Sequence, residues 1–522
     1  MFKGKLYPYQ QPVVSHFAKR GSLLLAFAPG TGKTPTALAC AEYLFDEGYA
    51  YLCLIICPSA LKYQWEERIK QFTDSNVIVV DGTKDQRDGC YLVSYSRELN
   101  FKYIVISYDY VLLDEQIARL NPDVVILDEA SAIKSFKTQR SKKIKKLFKD
   151  VPYRLALTAT PIENRPEELY SIMQWVDSSV LGRYDLFEKA YVIRHSKGWV
   201  RAYKNLDVLH DRMGDAMIRK SRTDPDVAPY LPEVDDDCWS VPMSLEVARV
   251  YCIIANDMLE ELAKIPKHKV DLRFGAMQAL LDEDGPNGRL MAMHMCLEML
   301  LCHPSLIYDS AAKYIQDSPE GSEYAWLLAT SDTLGEIPLS SAKLDMLKAE
   351  LEPVLDNPDS KVLIYSKYKF MLEILKRELP YKSVTFTGDL NAKEKDKVRK
   401  QFADDPSIRI FLSSYAGGYG LDMNMADYLV NYDLPWSFGT QDQINSRHIR
   451  ASSSFNQVFI RNLITHDSIE ERKMRVLERK RKMSDIAIDG ADMGGDRIDT
   501  TVALDADLLH DHLSSFVEKY RS

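Results

Sequence analysis

Short apolar runs arranged in two series limit what this chain can fold into. LLLAF, YLCLIIC, YIVIS, VVILDE and YRLALTAT fall between Ser22 and Thr160. VLIYS, SVTFT, IRIFLSS, YLVNYD and VFIRN follow Lys343. Each run has the length of one buried strand, and helix-like stretches separate them, which is the pattern of a parallel sheet flanked by helices. Two series predict two α/β lobes, and a length of 522 residues gives each lobe enough chain to bury its own core. The expected division is a first lobe at 1–232 with a helical insertion near 162–222, a helical insertion and connector at 233–340, a second lobe at 341–486, and an acidic appendage at 487–522. Within the connector, the Pro- and Asp-rich segment 225–237 reads as a link, and RLMAMHMCLEMLLCHP (289–304) as a packed helix. Beyond about Ala487 the chain is acidic and glycine-containing, and reads as a loose tail with a short terminal helix.

Composition removes several classes. No apolar run reaches the length of a membrane span, and the first residues, MFKGKLYPYQQP, carry no signal core, so a cytoplasmic location and no membrane partner are expected. Eight cysteines without a CxxC pair fit buried thiols in a reducing compartment better than disulfides or zinc. A net charge of −9 means that any nucleic-acid contact must use local basic patches.

The first chemical motif is FAPGTGKT (27–34). LLLAF supplies a strand and TALACAEYLF a helix, and the loop between them can turn its backbone N–H groups toward phosphate oxygens at the positive end of that helix. Pro29, Gly30, Thr31 and Gly32 form the cradle, Lys33 is placed for the β- and γ-phosphates, and Thr34 for Mg²⁺. Phe27 stands where such loops usually carry glycine, and reads as the buried end of the strand. In VVILDEAS, Asp128 ends a buried strand and is placed to hold Mg²⁺, with Glu129 beside it to polarise an attacking water. In QINSRHIR, Gln443, Arg447 and Arg450 recur at intervals of four and three, so a helix would point all three one way. Arginines on a separate lobe can serve as fingers that reach the γ-phosphate when the lobes close.

With these residues in place, the chain resembles SWI/SNF-type DNA translocases of helicase superfamily two, of the stand-alone bacterial or phage kind, from about Leu6 to Lys482. LYPYQ resembles the adenine-reading segment, implying Gln10 as base contact with Tyr7 or Tyr9 stacking. IICPSALKYQWEERI resembles the family's segment marked by Pro58, Leu61 and Trp65. ISYDYV resembles the motif that follows it. DEASAIKS resembles the Asp-Glu-Ala-His box, with Ser131 in place of the histidine. LTATPIENRPEELYSIM resembles the motif coupling ATP to DNA, through Thr158, Thr160, Pro161 and Asn164, and IRKSRTDPDVAPYLP the Arg-x-x-Lys stretch, starting at Arg219. LCHPSL resembles the His-Pro helix end. SSYAGGYGLDMNMADYLVNYD and QINSRHIR resemble the last two motifs and imply coupling roles for Gly418 and Gly420. Asp422 stands where an uncharged residue is usual, and a carboxylate there would repel DNA phosphates.

The resemblance implies tandem RecA-like lobes, ATP and Mg²⁺ as cofactors, and DNA, duplex or forked and read with weak sequence preference, as partner. From the residues alone, 134–149 holds eight basic side chains and no acid, with Lys142, Lys145, Lys146 and Lys149 on one helical face. Such a face can be solvated or sit on phosphates; beside the Mg²⁺ box the phosphate reading is favoured, so Lys134, Arg140, Lys142 and Lys146, with Ser414 from the resembling segment SSYAGGYG, are the expected DNA contacts. A second basic run, 471–483, belongs by resemblance to a brace helix crossing back to the first lobe. The expected function is a DNA-stimulated ATPase that moves along duplex DNA in repair, recombination or fork remodelling. A strand-separating helicase, the motor of a restriction-type complex, and an ATP-switched DNA clamp are the alternatives.

Overall fold

The computed structural model describes residues 1–94, 101–194, 196, 200–265, 286–335, 337–415, 422–450, 453, 455–490 and 502–520. Its strands are β1 (Ser22–Phe27), β2 (Cys53–Cys57), β3 (Asn76–Val79), β4 (Phe101–Ser107), β5 (Val124–Asp128), β6 (Tyr153–Leu157), β7 (Val192–Arg194), β8 (Val200–Tyr203), β9 (Met217–Lys220), β10 (Glu233–Val241), β11 (Val362–Ser366), β12 (Ser383–Phe386), β13 (Ile410–Ser414), β14 (Tyr428–Asn431) and β15 (Gln457–Thr465). Each apolar run of the two series forms a strand. The first lobe is a parallel sheet in the order β3-β4-β2-β5-β6-β1-β9, and the second a parallel sheet in the order β10-β15-β14-β11-β13-β12. Strands β1, β2 and β5 are buried along their whole length, as expected of strands covered on both faces by crossover helices. Leu24 and Ala26 pack on one face of the first sheet, while Leu23, Leu25 and Phe27 pack on the other.

Three parts of the expected division change. Residues 233–241 are an edge strand of the second sheet, in register with β15 from Glu233↔Gln457 to Val241↔Thr465, rather than the start of a helical connector. Asp235 is paired by the Arg461 guanidinium at 3.0 Å and Asp236 accepts from the Asn462 amide at 3.0 Å, so cross-strand partners satisfy two acids of what reads as a charged linker. Second, the segment near 162–222 is only partly helical: it includes the β7–β8 hairpin and ends in β9, which pairs with β1. Third, the tail is not loose where it is described. The helix Ile469–Asp489 runs through the expected boundary, and its Ile486, Ala487 and Ile488 lie in the first lobe's core. The helix Val502–Tyr520 packs Leu509, Leu513, Phe516 and Val517 into the second lobe's core beside Tyr251.

The helix Ile469–Asp489 is thus a brace. Its 21 residues span about 31 Å at 1.5 Å per residue. Its first part is rooted in the second lobe by the buried Lys473–Glu298 pair at 2.8 Å, and its last turn is buried in the first lobe. The Met-rich stretch is a helix, Pro286–Cys302, with Met291, Met293 and Met299 in the core. Among the described residues, no helix is long and apolar enough to cross a membrane.

Candidate functional site

The site lies where the carboxyl ends of β1 and β5 face the second lobe. Beyond β1 the chain turns through Gly30 (φ +84°) and Gly32 (φ +87°), a conformation that only glycine adopts without strain. A Cβ on Gly30 would meet the Ile449 carbonyl oxygen of the second lobe at 2.1 Å, and one on Gly32 would meet Gln10 Nε2 at 2.2 Å. Gly30 is therefore required by close approach to main chain as well as by backbone conformation, and Gly32 by its backbone conformation. The helix Lys33–Asp46 begins directly after the loop, so its unpaired N–H groups open onto the cradle. Lys33 Nζ donates to the Phe27 carbonyl at 2.9 Å, and burial pushes its ammonium down to about 8, partly offset by Glu129. Thr31 is wholly buried, its hydroxyl donating to the Ala28 carbonyl at 2.7 Å.

Gln10 is buried against this loop. Its Oε1 accepts from the Tyr7 N–H at 2.9 Å, and its Nε2 donates to the Thr31 carbonyl at 3.0 Å, where the Tyr9 hydroxyl also donates at 2.8 Å. The amide is held while retaining one donor and one acceptor position. The Tyr7 ring lies 5.8 Å from Tyr9, and 4.4 Å from Tyr230, which arrives from just ahead of β10.

Asp128 ends β5. Its Oδ2 accepts from the Trp65 indole N–H at 2.8 Å, and its Oδ1 from the Glu129 N–H at 3.0 Å. Trp65, which entered the sequence reading only as a family mark, therefore orients Asp128; its indole donor was the available signal. Burial, then the charge of Glu129, raises the Asp128 carboxyl above the usual range. Glu129 turns out of the strand with φ +50°, and its Oε2 accepts from Gln443 Nε2 of the second lobe at 3.1 Å. Two adjoining carboxylates, one buried, beside a glycine cradle and a lysine suit a divalent cation with a polyphosphate.

The arginines reach the cleft by a route other than the one expected. The helix carrying Gln443 is Phe438–Asn445 and stops before them. Asn445 is drawn toward the sheet by Asn431, which donates to it at 2.8 Å, and Ser446 caps the helix end. Arg447 and Arg450 lie in the turn beyond, so they converge with Gln443 without sharing a helical face. Arg447 is buried, and Arg450 pairs through Nε with Asp422 at 2.7 Å. Asp422 also accepts from Arg68 of the first lobe at 2.7 Å. The carboxylate expected to repel DNA thus sits in the cleft between two arginines. Burial opposes its ionisation, but Arg450 and Arg68 hold its carboxyl below the usual range.

Further bonds join the lobes around this core. Arg222 donates to Asp442 at 2.6 Å and to Ser446 at 2.8 Å. Arg219 donates to the Ala26 and Ala159 carbonyls, both at 3.0 Å, and pairs with Asp489 at the end of the brace at 2.6 Å. Of the expected coupling residues, Thr158 Oγ1 accepts from the Thr160 N–H at 3.2 Å, and Asn164 Oδ1 accepts from Lys480 of the brace at 3.0 Å. Gly418 and Gly420 lie outside the described residues.

The expected DNA contacts divide. Lys142, Lys146 and Lys149 are exposed along or just past the helix Gln139–Phe148. Lys134 is paired with Glu163, and Arg140 with Asp109 at 2.7 Å, so neither presents an uncompensated charge. Lys145 turns inward to donate to Ser171 at 2.9 Å, and burial pushes its ammonium down to about 8. Ser414, at the end of β13, is buried.

Two parallel sheets flanked by helices, with a glycine-lysine loop on one and arginines from the other facing it, define the tandem RecA-like class of helicase folds. Residues 9–306 match the SNF2-related domain, and residues 342–452 match the helicase conserved C-terminal domain. The chain belongs to the SNF2-related family. It is 27% identical over 495 residues to the putative ATP-dependent helicase/translocase YwqA of Bacillus subtilis, covering 93% of this chain and 49% of that protein. It is 25% identical over 501 residues to the human DNA annealing helicase and endonuclease ZRANB3, covering 94% of this chain and 41% of that protein. The chain therefore spans half or less of the length of these relatives. The helicase domain of Pyrococcus furiosus Hef has the same fold, with a TM-score of 0.53 at 18% identity over 90% of this chain and 97% of that domain.

Proposed function

We propose that the chain is an ATP- and Mg²⁺-dependent motor that moves along duplex DNA. The observation that carries this reading is the 3.1 Å bond between Gln443 and Glu129, which brings the second lobe onto the residue best placed to polarise a water. Lys33 and the loop Pro29–Thr34 bind the phosphates, Thr34 and Asp128 hold the cation, and Gln10 reads the base. When bound, the cation withdraws charge from the phosphate oxygens. Glu129 orients the water and takes its proton, and Gln443 holds the Glu129 carboxylate toward the cleft. Arg447 and Arg450 neutralise charge building on the transferred phosphoryl group. That contribution is worth about 10³–10⁵ in rate for such arginines, and it depends on the lobes being together.

Movement follows from the same dependence. Lobe closure is tied to phosphate contact, and the brace and the Lys480–Asn164 bond connect closure to the segment after β6. The outward lysines 142, 146 and 149 suit backbone phosphates, which predicts weak sequence preference and strong salt sensitivity. The DNA annealing activity of ZRANB3 supports annealing or fork remodelling over processive unwinding as the use of such movement.

The deciding experiment measures ATP hydrolysis without DNA and with single strands, duplex and forks, with Lys33→Ala and Arg447→Ala as controls. Stimulation is expected to be greatest with duplex or forks and lost in both variants. Hydrolysis indifferent to DNA would remove the motor reading, and displacement of a labelled strand would favour a strand-separating helicase.

A further inference from the structure

Tyr230 belongs to no expected catalytic or binding set, yet it stands at the base end of the site. Its ring lies 4.4 Å from Tyr7 at an interplanar angle of 39°, and 6.3 Å from Tyr9. Tyr9 is buried and bonded to the phosphate loop, and Gln10 sits against Gly32. Tyr230 is still 37% exposed, so it keeps open ring surface at the mouth of this aromatic group. A half-exposed ring packed on Tyr7, whose N–H bonds Gln10, suits stacking on a flat heterocycle such as adenine.

The placement of Tyr230 in the chain matters as much. Residues 221–231 are folded onto the first lobe: Ser221 N–H donates to Asp224 Oδ2 at 3.0 Å, the Val227 and Ala228 N–H groups to the Asp224 carbonyl at 2.9 Å, and Val227 is buried in that lobe's core. At Glu233 the chain has already entered β10 of the second sheet. Tyr230 is thus the aromatic side chain on the crossover between lobes.

Resting on the reading of this cleft as a nucleotide site, we propose that Tyr230 stacks on the adenine base and, by doing so, ties base occupancy to the position of the crossover segment. Phosphates alone would fill the cradle without engaging it.

The test is a titration of the full chain with ADP and with inorganic pyrophosphate, for wild type, Tyr230→Ala and Tyr230→Phe. Removing a base-stacking ring typically weakens binding by about 5- to 100-fold. Tyr230→Ala is expected to weaken ADP within that range and leave pyrophosphate unchanged, while Tyr230→Phe retains wild-type ADP affinity. Amide exchange across 221–232 supplies a readout that simple packing would not move. ADP is expected to slow it in wild type and Tyr230→Phe but not in Tyr230→Ala, and pyrophosphate in none. Equal ADP affinity in wild type and Tyr230→Ala would overturn the proposal, as would parallel losses for ADP and pyrophosphate. Failure of wild type to bind either ligand would instead overturn the nucleotide-site reading beneath it.

Discussion

Phosphate binding should depend on the protonation of Lys33 at unusually low pH. Its ammonium is buried, donates to main-chain carbonyls and has its pKa pushed down to about 8. Relative to an ordinary lysine, this charge costs the empty site about 3 kcal/mol, at 1.36 kcal/mol per unit. The cost is fully present below about pH 8 and is relieved as pH rises from about 8 to 10.5, where the folded protein has released a proton that the unfolded chain still holds. A polyphosphate binds best when the ammonium is charged, so above about pH 8 binding must take up a proton. With a pKa near 8, apparent ADP affinity should fall about twofold at pH 8 and about elevenfold at pH 9, approaching tenfold per unit. Isothermal titration of ADP from pH 7 to 9.5 reads the proton uptake directly when two buffers of different ionisation enthalpy are compared. Melting temperatures at each pH show that the protein stays folded. A flat affinity to pH 9.5 without proton uptake would refute the reasoning, because Lys33 would then titrate as an exposed lysine or carry no share of the phosphate contact.

Three further outcomes follow from the geometry. Glu129→Gln should lower the hydrolysis rate by about 10²–10⁴ with ADP affinity within a few-fold of wild type, measured by single-turnover assay and titration. Ile488→Ala empties a wholly buried position of the first lobe's core and should cost about 2–4 kcal/mol in urea unfolding, in the transition that reports the first lobe. Replacing Lys142, Lys146 and Lys149 together with alanine should reduce the slope of log affinity for duplex DNA against log salt by about 2–3. An unchanged slope would place the DNA path elsewhere.

Strands buried on both faces were legible because their apolar runs are unbroken, and the phosphate loop because its glycines and lysine sit between a strand and a helix. β10 was hidden by its own acids: EVDDDCWSV lacks apolar alternation, and its pairing with β15, where Arg461 and Asn462 meet Asp235 and Asp236, comes from a segment more than 200 residues away. Counting charges on 134–149 could not separate Lys142, which faces outward, from Lys145 and Arg140, whose partners Ser171 and Asp109 come from distant segments. Spacing brought Gln443, Arg447 and Arg450 together for the wrong reason, since the helix ends at Asn445 and a turn completes the approach. Tyr230 lay in a Pro- and Asp-rich link whose composition says nothing of what its ring touches.

The burial of Ile486, Ala487 and Ile488 in the first lobe bears on how the chain is made. During synthesis, the first sheet is complete once β9 has emerged, but its core lacks these side chains until about 270 further residues have been added. At about 5–20 residues per second, that is an interval on the order of 10–50 s. Through that interval the apolar side chains that will contact Ile486, Ala487 and Ile488 lack those partners. In the finished chain the helix that leaves the second lobe supplies Met483, Ile486, Ala487 and Ile488 to this core. A first lobe expressed alone should therefore be prone to aggregation, and adding the peptide 469–490 in trans should relieve it.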